Sequence, residues 1–207
     1  MTLAGTCNDI LRLACGRAAP AEGPAEGDAR RAQLTVASAL AALVLAALWG
    51  LAAGSRSAHL AVANLLKVPL VVLLSALCAA PAGLLALKLG GARLRGRDLV
   101  QSFTAGVLSG TLVLAVLAPV VALYTHTSVL VGGRLALGSV LLAIAVATLM
   151  FARHVRRQAP AGGGALLPVV VLVVMLLAAL VQLVALASPI LPEASPFDGG
   201  VDGLLPF

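Results

Sequence analysis

The stretch LAVANLLKVPLVVLLSALCAAPAGLLALK, residues 60–88, decides the fold of this chain. Within it, the twenty residues that follow Lys67 carry no charge, and about 20 apolar residues are what a helix needs to cross a bilayer. Lys67 itself lies inside the apolar run, close to Pro69, and a second proline follows at Pro81. The stretch therefore predicts a transmembrane helix, around which the other apolar segments are expected to pack.

The composition of the whole chain is that of a membrane protein. Of its 207 residues, 61% are hydrophobic and 11% are charged, whereas a soluble domain is nearer half apolar and a quarter charged. Only helices and closed barrels satisfy their own backbone hydrogen bonds in lipid, and the strict alternation of barrel strands is absent. We therefore predict an all-α membrane protein, a bundle of five transmembrane helices.

Four further apolar segments complete the predicted bundle. The predicted spans, in a transmembrane domain of residues 33–188, are about 33–53, 61–88, 99–124, 129–151 and 166–187. Spans one and three each contain two glycines four residues apart, Gly50 with Gly54 and Gly106 with Gly110. This spacing permits close contact between helices. Trp49, near the end of span one, is expected at the membrane interface, which indole rings prefer.

The segments outside the spans are expected to differ in character. Residues 1–32 begin with apolar side chains at helical spacing over residues 3–15, which predicts a short amphipathic helix on the membrane surface. A terminal helix without lipid contact is the alternative. The stretch AAPAEGPAEGDARR then predicts a flexible linker, as does RHVRRQAPAGGG between spans four and five. Residues 189–207 form a Pro- and Gly-rich acidic tail.

The basic residues are distributed unequally between the two sides of the predicted bundle. Eleven of the fourteen lie before span one or in the connections that follow spans two and four. The other three, Arg56, Lys67 and Arg134, lie on the opposite side. Because an excess of Lys and Arg marks the cytoplasmic side, the N-terminus is predicted in the cytoplasm and the C-terminal tail outside. The Ala-, Leu- and Arg-rich composition points to a bacterium, hence to its inner (plasma) membrane.

The candidate functional or structural polar site consists of Lys67, Pro69, Arg134, Glu193 and Asp198. A lysine at mid-bilayer costs about 2.5–3.5 kcal/mol on insertion scales, but Lys67 lies only about 10 Å along span two. Its four-carbon stem can therefore bring the ammonium to the outer interface. The alternative is that Lys67 points inward to a partner. Glu193 is the expected partner of Lys67 or Arg134, with the apolar residues of the tail docking it on the bundle.

The sequence contains no recognisable set of catalytic or metal-binding residues. His59 and His126 lie in outer connections and His154 at the cytoplasmic end of span four, with no His or Cys at metal-ligand spacing. Ser109 has no histidine at membrane depth to activate it, and the glycines at 162–164 lack the Lys-Ser/Thr of a phosphate-binding loop. We therefore predict no enzyme, no cofactor and no metal site. The sequence also lacks a basic face with stacking aromatics, so no nucleic-acid binding is predicted.

Two short stretches, LLKVPLVVLLSALCAAP at residues 65–81 and SPILPEASPF at residues 188–197, carry a family resemblance. They are similar to the Yip-like families, small membrane proteins of the kind that interacts with Rab GTPases. The first looks like the lysine–proline opening of the second helix in bacterial members, and the second leaves span five. The resemblance implies a cytoplasmic N-terminal segment, five closely spaced spans and a short external C-terminus. It also implies a role in membrane organisation and partner recruitment. This chain lacks the long N-terminal domain of the eukaryotic members, which act in vesicle traffic.

The sequence thus predicts a non-enzymatic integral membrane protein that acts as a scaffold or partner subunit of a membrane assembly. Its expected partners are the lipid bilayer and another membrane protein or a second copy of itself. The alternative is a small channel- or carrier-like transport subunit in which Lys67 lines a polar path. Five spans do not divide into the equal halves typical of transporters, but the prolines of spans two and three permit a kinked core.

Overall fold

A computed structural model of the chain describes residues 24–90, 94–158 and 166–190. All regular structure in these ranges is helical, in the elements α1 (Pro24–Ala53), α2 (Ala58–Leu89), α3 (Gly96–Thr127), α4 (Val129–Gln158) and α5 (Leu166–Ala187). Each of these five helices is long and apolar enough to cross a membrane. The prediction of an all-α protein with five candidate transmembrane helices is confirmed. The predicted amphipathic helix over residues 3–15 lies outside the described residues.

Two helices extend into segments that the sequence predicts as linkers. α1 begins at Pro24, so the flexible-linker prediction is wrong from that residue onward. Proline suits the first helical position, where its missing N–H has no partner to lose, and alanine is the strongest helix former. α4 likewise continues to Gln158, because the six residues RHVRRQ contain neither Gly nor Pro. Two arginines lie in its last turn, where cations complement the helix dipole.

The prolines inside the spans do not end the helices that contain them. α2 contains Pro69 and Pro81, and α3 contains Pro119. Membrane helices tolerate such interruptions because neighbouring helices and hydroxyl side chains re-satisfy the freed backbone groups. Ser57 caps the start of α2, and its Oγ accepts a long hydrogen bond of 3.5 Å from the backbone N–H of Leu60. The polar residues that follow Ser57 therefore lie on the first turns of one continuous helix.

The five helices are arranged in an arc. α1 packs against both α2 and α3, while α2 also packs against α5 and α3 against α4. The order around the arc is therefore α4, α3, α1, α2, α5. α2 touches α3 at few points, and the two ends of the arc, α4 and α5, also touch at few points. This leaves a space on the concave side of the arc.

Both glycine pairs lie where two helices approach closely. A Cβ atom added at Gly106 or at Gly110 would lie 2.8 Å from a backbone carbonyl oxygen of α4. A Cβ atom added at Gly50 or Gly54 would lie 2.5 or 2.7 Å from a backbone atom of α2. These distances are shorter than any side-chain carbon tolerates, so α3–α4 and α1–α2 contact each other at van der Waals range through glycine.

The two larger apolar clusters of the described interior lie one towards each end of the bundle, and a small third cluster joins Ala42 to Leu108. We name the end where α1 and α5 finish and α2 begins the Lys67 end. The cluster near it surrounds Trp49 and includes Val68, Leu114 and Val121. The cluster towards the opposite end includes Phe103 and Phe151, whose rings meet edge to face with centroids 5.7 Å apart. The space inside the arc lies between these clusters.

Candidate functional site

Two polar side chains on the first turns of α2 hold the residues that follow α5. Nδ2 of Asn64 donates a hydrogen bond of 2.7 Å to the backbone carbonyl of Ile190. Nζ of Lys67 donates one of 3.3 Å to the carbonyl of Pro189. Residues three apart share one face of a helix, so both side chains reach the same short segment. Asn64 is fully buried and Lys67 is half-buried.

Of the other residues of the predicted polar site, the structure describes Pro69 and Arg134. Pro69 is half-buried in α2, two residues beyond Lys67, and Arg134 is exposed near the start of α4. Within the described part of the chain, neither Arg134 nor Lys67 forms an ion pair. Glu193 and Asp198 lie outside the described residues, so their pairing with either base stays a prediction.

The chain immediately after α5 docks on the bundle through backbone groups and an apolar side chain. The carbonyls of Pro189 and Ile190 accept the two hydrogen bonds from α2, and Ile190 packs against the cluster around Trp49. The carbonyl of the half-buried Ile190 lies outside a helix and needs a donor, which the amide of the buried Asn64 supplies. The sequence prediction overlooked Asn64, although an amide three residues before Lys67, on the same helical face, was a usable signal.

A cleft of about 290 Å³ occupies the concave side of the arc. Trp49 and Ile190 line it near the Lys67 end, and Phe103 and Phe151 line it towards the other. Along α4 its lining runs from Ala136 to Phe151, which is about 22 Å at 1.5 Å per residue. Its lining residues carry no charge. Residues of both α4 and α5 line the cleft, and because these two helices touch at few points, a gap remains between them on this side of the bundle.

Trp49 forms part of the wall of this cleft. Its indole Nε1 donates a hydrogen bond of 3.0 Å to Oγ of Ser139 on α4, and that hydroxyl donates one of 2.6 Å to the carbonyl of Ala136. The side chain is 5% exposed, so its ring is packed inside the bundle, and its position at the depth of the membrane interface stays a prediction. The hydroxyl of Ser139 gives the indole N–H a partner inside the protein, which allows the ring to be buried.

The outward face of α5 carries a regular stripe of exposed residues. The exposed residues of this stripe recur at every fourth position and are Val170, Val174, Ala178, Gln182 and Leu186. Gln182 is the one polar side chain in the 22-residue sequence of α5, about 7.5 Å before the end of that helix. It has no hydrogen-bond partner among the described residues. The sequence prediction did not single it out, although an amide in an uncharged span was visible there.

Two polar side chains that could have suggested catalysis, Ser109 and His154, contact backbone carbonyls of their own helices. Oγ of Ser109 donates a hydrogen bond of 2.8 Å to the carbonyl of Ala105 in its own helix. Nδ1 of His154 lies 2.7 Å from the carbonyl oxygen of Met150, one turn earlier. Across residues 24–90, 94–158 and 166–190, no three His, Cys, Asp or Glu side chains are close enough to hold a metal ion.

The site can therefore be described by three features of its geometry. These are the polar contact between α2 and the residues after α5, the uncharged lateral cleft, and the amide on the outward face of α5. The resemblance to Yip-like proteins stays a prediction. No family model, no curated protein and no solved structure matches the chain.

Proposed function

We propose that this chain is a non-enzymatic integral membrane protein that acts as a scaffold or partner subunit of a membrane assembly. The observation that carries the proposal is Gln182, an amide on the outward, apolar stripe of α5. An amide in hydrocarbon has no water to bond, so it gains from a polar group on a neighbouring transmembrane helix. Such interhelical hydrogen bonds contribute about 0.6 kcal/mol on average and about 1–2 kcal/mol in model peptides.

The surroundings of Gln182 suit the approach of a second helix. Ala178 lies one turn away on the same stripe, and small residues let two helix backbones come close. α5 is also the least covered of the five helices. In an apolar stretch of 18 residues, 6% of α5 is buried inside the protein, against 44% of α3. The proposed partner is a transmembrane helix of another subunit or of a second copy of this chain.

The alternative, a transport subunit with Lys67 lining a polar path, has less support. The lining of the cleft is uncharged and does not include Lys67, whose ammonium instead contacts the carbonyl of Pro189. An ion would lose its hydration in such a cleft without gaining charged or carbonyl ligands. Flux of ions or small polar solutes into vesicles that contain the purified protein would favour this alternative.

The proposed setting is the inner membrane of a bacterium, with the N-terminus in the cytoplasm and the C-terminus outside. The support for this orientation is the unequal distribution of the fourteen basic residues, which places the Lys67 end on the outside. The topology of the Yip-like families agrees with this arrangement and remains a resemblance.

Site-specific photo-crosslinking in native membranes tests the proposed function. A photoreactive residue at position 178 should form adducts with protein that migrate above the 20.6 kDa of the chain. Gln182→Leu should lower the yield of these adducts about threefold to tenfold, as the loss of one interhelical hydrogen bond predicts. Gln182→Asn should keep most of the yield. A photoreactive residue at position 116, which is also exposed but lies on α3, is the control.

Two results would contradict the proposal. Lipid adducts alone at both positions would show that the stripe faces only the bilayer. Protein adducts at position 178 that are insensitive to Gln182→Leu would show that the amide does not hold the partner.

A further inference from the structure

We infer that the lateral cleft binds one acyl chain of an anionic membrane phospholipid, and that the phosphate of this lipid contacts the ammonium of Lys67. This binding site is separate from the partner surface proposed above. The cleft lies on the concave side of the arc, whereas Gln182 lies on the outward stripe of α5.

The dimensions of the cleft fit a hydrocarbon chain. Its lining extends about 22 Å along α4, longer than one leaflet, which is half of a hydrocarbon core about 30 Å thick. Because α4 and α5 touch at some points, the gap between them is too narrow for a transmembrane helix about 10 Å wide. The volume of the cleft, 290 Å³, exceeds that of apolar cavities of about 150 Å³ that bind benzene in another protein.

The chemistry of the lining also favours hydrocarbon over water. Apolar cavities do not hold water, because a water molecule needs polar partners that such walls lack. An empty cleft would leave its wall atoms without dispersion contacts on one side. Because a gap remains between α4 and α5, a lipid chain can enter from the bilayer and supply those contacts.

Lys67 gives the site its preference for an anionic lipid. An ammonium has three N–H donors, and Lys67 uses one on the carbonyl of Pro189. The neighbouring residue, Ile190, lines the cleft near its Lys67 end, and Asn64 fixes that residue through its carbonyl. The ammonium of the half-buried Lys67 therefore lies one residue from the lining, at the Lys67 end of the cleft, where attraction to a phosphate is stronger than in bulk water.

The single tryptophan of the chain is a reporter inside the cleft. Trp49 lines the cleft and is 5% exposed, so a lipid chain reaches its ring through the cleft rather than from the bundle surface. Phospholipids brominated on the acyl chain quench indole fluorescence on contact. The full chain would be reconstituted in vesicles containing increasing fractions of brominated phosphatidylglycerol or brominated phosphatidylcholine.

We expect quenching of Trp49 that saturates at a low fraction of brominated lipid. Half-saturation should require about fivefold less phosphatidylglycerol than phosphatidylcholine, the preference that one partly exposed ion pair gives. Lys67→Met should remove this preference and keep the quenching by both lipids. Lys88→Met, an exposed lysine at the other end of the same helix, should keep the preference.

Variants that fill the cleft test the acyl-chain site itself. Ile144→Phe and Leu180→Phe add volume from opposite walls, on α4 and α5. Each should reduce the saturable quenching at least about twofold, because the added ring occupies part of the chain's space. Leu142→Phe, an exposed position of α4 outside the lining, should leave it unchanged. Two separate fillers keep the test valid if one variant fails to fold.

Three results would overturn the inference. Quenching that rises in proportion to the fraction of brominated lipid, and that neither Ile144→Phe nor Leu180→Phe changes, would show that the quenching lipid surrounds the bundle. Absence of quenching would show that no chain reaches the cleft. Quenching that appears only after removal of residues 191–207 would assign the cleft to the chain's own tail. Crosslinking at position 178 reports on a different face, so failure of the lipid site and failure of the proposed function are distinguishable.

Discussion

At the scale of single residues, a buried amide and a half-buried lysine fix the chain beyond its last helix. Asn64 and Lys67 both donate to backbone carbonyls, so the contact does not depend on an acidic side chain. The sequence singled out Lys67 because a charge in an apolar run is conspicuous. It could not identify the acceptors, because every residue has a carbonyl and only the fold decides which carbonyls lie near α2.

We predict that Asn64→Ala destabilises the protein more than Lys67→Met does. Asn64 is fully buried, so its loss leaves the carbonyl of Ile190 without a donor, at a cost of about 1–3 kcal/mol. Lys67→Met keeps the apolar stem and removes a longer, exposed hydrogen bond, for about 1 kcal/mol or less. Thermal unfolding in detergent measures both, with Lys88→Met as the control. A larger loss from Lys67→Met would contradict this ranking.

At the scale of helices, the sequence predicted which segments span the bilayer more reliably than how they pack. Long uncharged runs identify spans because hydrocarbon excludes charge. The start of α1 and the end of α4 were missed, because segments rich in Pro, Gly and charged residues were taken to lie outside the helices, although Arg and Ala are good helix formers. The arc order was not predictable, since lipid-facing and protein-facing surfaces are equally apolar in a membrane protein.

The glycines of α3 give a second prediction. Gly106→Ala or Gly110→Ala would place a methyl group 2.8 Å from a carbonyl oxygen of α4, and such overpacking costs about 1–3 kcal/mol. Gly138→Ala is the matched control, because a Cβ atom there meets nothing within 4 Å. It should stabilise the protein by about 0.5–1 kcal/mol through helix propensity.

Melting temperatures in detergent measure all three glycine variants under one condition. Equal shifts for Gly106→Ala and Gly138→Ala would show that α3 and α4 do not touch at this point. Opposite shifts are the expected outcome.

At the scale of the whole molecule, five candidate membrane-spanning helices, an odd number, predict that the start of α1 and the end of α5 lie on opposite sides of the membrane. The Lys67 end is predicted to face outward, because most basic residues lie at the opposite end and an excess of Lys and Arg marks the cytoplasmic side. This orientation was argued from the sequence alone, since the packing of helices is the same in either direction.

Cysteine labelling in intact cells tests the orientation. In a cysteine-free background, a membrane-impermeant reagent should label Arg56→Cys directly. It should label Arg95→Cys only after the membrane has been permeabilised. Both side chains are exposed, so accessibility within the protein does not bias the comparison. Direct labelling of position 95 together with protection of position 56 would reverse the topology.

The pairing of α2 with α5 also bears on how the chain assembles during synthesis. α1 with α2 and α3 with α4 are neighbours in sequence, so these hairpins can form as soon as each pair has left the ribosome. α2 acquires its last partner only when the C-terminal helix has been inserted. Until then Asn64 and Lys67 lack the carbonyls of Pro189 and Ile190, their acceptors in the finished bundle. Truncation before α5 would therefore leave α2 without one of its partner helices and without these two hydrogen bonds.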